Sequence, residues 1–224
     1  MAEVEKTFVH LQIRELRLQA ELTLEKLAEL TGVTYSTIVR LETKAVNARV
    51  ATLVTFAKVI AAELDRHPLD VFSNFFSDQA LSALDKVYQH APELNRVVPE
   101  RASNVRKEAK GKFRARALTI TMPGQRNYTV AMTQLQRDYG RSKLSPETLA
   151  ELTGLRTTRL RIIFRGDSES TYALLTDMFL PLCAVFAALN QEALRTYLLR
   201  AVQDELLRPD ESFEAYLAHQ SVQH

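Results

Sequence analysis

The chain has 224 residues, 46% apolar and 25% charged, which excludes wholesale disorder and leaves room for one large domain or two small ones. With 6 Gly and 7 Pro among many Leu, Ala, Glu and Arg, the expected fold is all-α. The single Cys183 excludes an intramolecular disulfide and a Cys-based metal site, and makes a reducing, cytoplasmic setting the default.

The N-terminal MAEVEKTF has no apolar stretch behind a basic start, so it does not read as a signal peptide. The first clear helix start is Thr23, whose hydroxyl suits an N-cap. Leu27 and Leu30 follow on one helical face, Gly32 ends the helix in the left-handed region, and Val33 anchors the turn. Thr34 then suits the cap of a helix running to about Thr43, with Ile38 and Leu41 as its inner stripe. Ser77 caps a further helix through His90, with Leu81, Leu84 and Val87 inward.

Residues 92–126 carry 9 Lys+Arg against 3 Asp+Glu, between two halves that are each slightly acidic. This reads as a basic linker, helical around Asn104–Ala117 or with a short strand at Leu118–Met122.

Beyond it the chain repeats itself. Leu22–Val33 recurs as Leu144–Leu155 at a constant offset of 122, with LAELTG identical. Ser145 takes the place of Thr23, Pro146 sits at the first helical position, and Gly154 replaces Gly32. Thr157 is the expected cap of the next helix, with Leu160 and Ile163 inward. The longest apolar run, Met178–Leu189, is too short for a membrane span and contains Pro181, which should kink or end that helix. Asn190 can cap a helix Gln191–Leu207 with Leu194, Leu198, Val202 and Leu206 in a stripe; Pro209 breaks it before a short helix Glu211–Ala218. This acidic tail suits either a dimer interface or a cover for the second domain's own core.

Residues Leu11–Phe72 resemble the lambda repressor/Cro-like helix-turn-helix family, often called XRE, over the whole five-helix domain. Tyr128–Leu189 resembles it in a more diverged form. The implied organisation is a first domain with a trailing helix (1–91), the basic linker (92–126), and a second domain with C-terminal helices (127–224). Pro68–Phe76 falls where the family has its fifth helix. In this family the second helix of the motif enters the major groove. The resemblance therefore points to Thr34, Tyr35, Ser36, Thr37 and Arg40 for DNA contact, with Lys44 and Asn47 on the backbone. In the second copy the corresponding residues are Arg156, Thr157, Thr158, Arg159, Arg161 and Arg165. Lys107, Lys110, Lys112 and Arg114 in the linker would add salt-sensitive phosphate contact.

Arg17 and Glu42 match a partly buried ion pair of the family; Phe164 replaces Glu42, and Gln136 or Tyr139 replaces Arg17. The family's usual Gln at the start of the motif's first helix is Leu24 here and Pro146 in the second copy.

The expected function is sequence-specific binding of double-stranded DNA by a transcriptional regulator, a repressor, acting as a cytoplasmic, nucleoid-associated homodimer. The rival is an assembly protein whose second domain serves dimerisation or docking, as in antitoxins or plasmid and phage accessory factors. No metal spacing, cofactor motif, catalytic signature, membrane segment or small-molecule site is legible, so an enzyme is not expected. Trp is absent and most Phe lie in apolar stripes, which disfavours RNA.

Overall fold

Capping chemistry sets the first helices. The computed structural model describes residues 11–44, 47–89, 118–120, 128–130, 134–165, 174–208 and 210–222. After α1 (Ile13–Gln19), Thr23 opens α2 (Leu24–Thr31) by accepting the Lys26 amide on its hydroxyl at 3.1 Å. Gly32, at φ 68°, ends the helix where a side chain would be strained. The Thr31 hydroxyl donates back to the Leu27 carbonyl at 2.6 Å and accepts the Val33 amide at 3.3 Å, which fixes the turn into α3 (Tyr35–Thr43). Then come α4 (Val50–Leu64), α5 (Pro68–Ser73) and α6 (Asp78–Gln89).

A two-stranded antiparallel ribbon, β1 (Leu118–Ile120) against β2 (Tyr128–Val130), precedes the second half. That half consists of α7 (Gln134–Ser142), α8 (Pro146–Thr153), α9 (Thr157–Arg165), α10 (Thr176–Asn190), α11 (Leu194–Leu206) and α12 (Phe213–Val222). Helices build the core, so the fold is all-α apart from the ribbon.

The backbone repeats along with the sequence. Ser145 caps α8 on the Thr148 amide at 3.0 Å, Gly154 ends it at φ 69°, and Thr153 makes the same 2.6 Å and 3.3 Å bonds as Thr31. The left-handed residues Glu21 and Lys143, at φ 54° and 56°, also stand 122 apart. After α9 the offset becomes 126: α4 and α10 each have 15 residues, and they end on Asp65 (φ 51°) and Gln191 (φ 55°). In each half the fourth helix of the set, α4 or α10, packs against the first, second and fifth.

The halves share one core. Helix α5 packs on α11, and α6 lies on α10. Arg195 reaches across from α11 to the carbonyls of Ser73 and Phe76, the Ser73 hydroxyl and the Asp78 carboxylate. Helix α12 returns to the first half, where Tyr216 and Gln220 both donate to Asp70. His67 Nδ1 accepts the Leu69 amide at 3.1 Å, which leaves Nε2 to donate to Glu211 at 2.9 Å. The acidic tail therefore does both more and less than expected: α11 buries Leu194, Leu198, Val202 and Leu206, while α12 covers the other half.

Several expectations need correction. Helix α5 stops at Ser73, not Phe76, because Phe75 and Phe76 turn back onto the Phe72 and Ser73 carbonyls. Ser77 does cap α6 on the Ala80 amide, but Val87 is 57% exposed and Tyr88 takes the inward place. Leu30 is 42% exposed, whereas Leu27 is fully buried. Helix α10 continues through Pro181, so proline neither ends it nor breaks its packing. Asn190 closes α10 instead of capping the next helix, which begins at Leu194 behind Ala193. The last helix starts at Phe213, with Ser212 accepting the Ala215 amide. Leu118–Ile120 is strand, and Tyr128 is the first residue of its partner; Asn104–Ala117 lies outside the described residues. Among the described residues no helix is long and apolar enough to cross a membrane.

Buried phenols give the fold a pH limit. Burial pushes Tyr88 up to about 12, and it also raises Tyr197 and Tyr216, which donate to Asp138 and Asp70. The unfolded phenols ionise near 10. Stability from these groups is therefore complete below about pH 10 and is lost as pH rises from there toward 12. Urea midpoints measured across that range should fall, and Tyr88→Phe should flatten the fall.

Candidate nucleic-acid interface

The α2–turn–α3 unit presents a polar face whose back is pinned. Ile38 and Leu41 are buried beneath it, while Thr34, Tyr35, Ser36 and Arg40 are exposed and Thr37 is half-buried. Tyr35, 48% exposed, is a large side chain left on this surface. The Thr34 side chain bonds no backbone amide of α3; its hydroxyl lies 2.9 Å from that of Thr37 and 3.4 Å from that of Ser36. The cap expected of Thr34 is thus made by its carbonyl alone, and three hydroxyls cluster at the N-terminal end of α3.

Arg17 fixes how α3 sits. Its Nε and Nη2 grip the two Glu42 carboxylate oxygens at 2.7 and 2.9 Å, and its Nη1 donates to the Leu22 carbonyl at 2.7 Å. The Glu42 bond raises the Arg17 pKa above its ordinary value. The pair joins α1, the entry to α2 and the C-terminal turn of α3 in one rigid contact.

Lys44 is exposed after α3. Asn47 is half-buried, and its Oδ1 accepts from the Thr176 hydroxyl at 3.4 Å, which ties the loop to the second half. Arg49, which the sequence reasoning did not single out, is exposed at the N-cap of α4. Its only signal was its position in a loop just after the motif.

On α9 the surface is more cationic. Arg156, Thr158 and Arg161 are exposed, and Thr157 and Arg159 are half-buried. Arg156, not Thr157, stands at the cap position, and its carbonyl accepts the first amides of α9. Arg161 pairs with Glu147 at 2.6 Å. Glu147's own amide and this arginine hold its carboxyl below the usual range. Both partners are about half exposed, so the pair is weak and Arg161 can exchange it for a phosphate at little cost. Ile162, the counterpart of Arg40, is 42% exposed. The ion pair is replaced in place: Tyr139 stacks on Phe164 with centroids 4.0 Å apart and planes 17° from parallel. Tyr139 stands at the offset of 122 from Arg17, and Gln136 donates to the Ile163 carbonyl at 3.2 Å. Nothing is described of the Arg165 side chain, and Lys107, Lys110, Lys112 and Arg114 lie outside the described residues.

Residues 13–66 match the helix-turn-helix family. The match covers α1 to α4 and the turn beyond, so it is confined to the first half of the chain. No curated protein and no solved structure matches the chain. Among the described residues no group of His, Cys, Asp and Glu could hold a metal.

Proposed function

We propose that the chain is a sequence-specific regulator that binds double-stranded DNA through two readers, the α2–α3 unit and a second helix-turn-helix unit formed by α8 and α9. The supporting observation is the exposed hydroxyl, phenol and guanidinium face of α3, held from behind by Ile38, Leu41 and the Arg17–Glu42 pair inside the matched region. Tyr35 and Ser36 lie at the end that reaches base edges, Thr37 and Arg40 flank them, and Lys44 serves the backbone. For the second unit the support is the recurrence of cap, turn and helix lengths, with Arg156 at the cap of the equivalent helix and Thr158, Arg159 and Arg161 on it. Repression by occupancy of the site asks nothing of the chain beyond binding.

A second reading is favoured by Ile162 and by the Arg161–Glu147 pair: α9 as a docking surface rather than a reader. Paired substitutions separate the two. Tyr35→Ala with Arg40→Ala should lower operator affinity at least about tenfold, since one lost base contact costs about 1–3 kcal/mol. Arg159→Ala with Arg161→Ala should lower affinity and also reduce the salt slope by about 0.9 for each phosphate lost. If this second pair leaves affinity and slope unchanged, α9 is a docking surface. Electrophoretic or fluorescence titrations at three salt concentrations suffice.

A further inference from the structure

We propose that one chain is a covalent pseudo-dimer that reads one asymmetric operator: two unlike half-sites about one helical turn apart, one taken by α3 and the other by α9 of the same molecule. The inference rests on the DNA-binding reading above and adds the form of the DNA and the number of chains on it.

The carrying observation is the seam between the halves. From Ala48 to the start of α5 the counterpart of each residue lies 126 positions later, as the paired helix ends Asp65 and Gln191 and the paired caps His67 and Ala193 require. At the seam the Val50 amide donates to the Leu174 carbonyl at 2.9 Å, and the Thr176 amide donates to the Ala48 carbonyl at 2.9 Å. Exchanging each residue for its counterpart, Val50 for Thr176 and Leu174 for Ala48, turns the first bond into the second. Arg49 bridges Leu175, its own counterpart. Any antiparallel bridge returns its two bonds reciprocally; what points to a twofold is that the bridged residues are each other's counterparts, which a head-to-tail contact does not give. The packing of α5 on α11 repeats the pattern, since α5 meets the helix that starts at its counterpart.

Reading one duplex requires the polar face of α3 to point along this axis; the twofold then sends the face of α9 to the same side. Chain reach then bounds their spacing. Five residue steps separate Thr43 from Ala48, at most roughly 18 Å. The midpoint of the nine-residue α3 lies about 7 Å further back. Each midpoint is thus within about 25 Å of the axis, and the pair within about 50 Å. Half-sites one turn apart, about 34–36 Å, fit; two turns do not.

The half-sites are unlike because the readers are. Tyr35, Ser36 and Arg40 face Thr157, Thr158 and Ile162 at the same offset, so one surface carries a phenol and a guanidinium where the other carries a hydroxyl and an apolar chain. The backbone at Ala48–Val50 is already bonded within the chain, so it supplies the twofold that a homodimer would otherwise provide.

Selection of bound sites from random duplexes by the full chain, followed by native mass spectrometry of the complex, tests this. One chain per duplex is expected, with two different enriched motifs whose centres are about 10–11 base pairs apart. Replacing the second motif by an inverted copy of the first should weaken binding at least about tenfold. Two chains on a palindrome, or one chain on a single short motif, would overturn the pseudo-dimer while leaving DNA binding standing. No enrichment at all would remove both.

Discussion

Arg17→Ala is expected to destabilise the protein by about 3–5 kcal/mol, the usual penalty for stripping one partner from a buried ion pair. Arg17 is 7% exposed, and the Glu42 side chain only 4%. Truncation leaves the Glu42 carboxylate without its two donors and the Leu22 carbonyl without its one. The second half indicates how the loss can be repaired. At the same offset Tyr139 stacks on Phe164, an aromatic contact at the positions equivalent to the ion pair. Arg17→Tyr combined with Glu42→Phe should recover most of the lost stability, because an apolar contact of similar volume replaces a buried ion pair at little or no cost. Urea midpoints of the single and double variants measure this. A loss below about 1 kcal/mol for Arg17→Ala would mean that the pair is solvated and weak.

Phe72→Ala should cost a similar amount, about 3–5 kcal/mol, for a different reason. Phe72 is fully buried in α5, with its ring edge-on to Phe75 at 6.2 Å and to Phe76 at 5.7 Å. Helix α5 has only six residues and packs on both α4 and α11, so a cavity there loosens the first half and its seam with the second half together. Single-transition unfolding with a lowered midpoint is expected. Two separated transitions would instead show that the halves unfold independently in the variant.

Local chemistry explains which parts of this were legible from sequence. Thr23, Ser145, Gly32 and Gly154 act through bonds to residues within four positions, and all four sit where their chemistry placed them. The stripes Ile38–Leu41 and Leu160–Ile163 were equally readable, because burial of one helical face leaves a period. The Arg17–Glu42 pair was visible only through resemblance, since 25 positions separate its members.

The errors arose where a distant partner decides. Val87 looked inward by spacing, but α6 lies on α10 and buries Leu81 and Tyr88, a surface no local pattern reveals. Asn190 looked like a cap, yet α10 uses it as its last residue and leaves Gln191 in the left-handed region. Pro181 was expected to kink or end its helix; it does not end it, and α10 continues through it among buried neighbours. The reciprocal bonds at Ala48–Val50 had no sequence signal, because backbone amides and carbonyls carry no residue identity.

The most direct test of the central claim compares two duplexes of equal length and composition: one selected by the full chain, the other its scramble. Both are titrated with the protein at about 0.15 M salt, where phosphate attraction alone is largely screened. A reader with an exposed Tyr35–Arg40 face should prefer the selected duplex by about a thousandfold or more. Affinities equal within about threefold would contradict it and leave α3 an ordinary solvated helix.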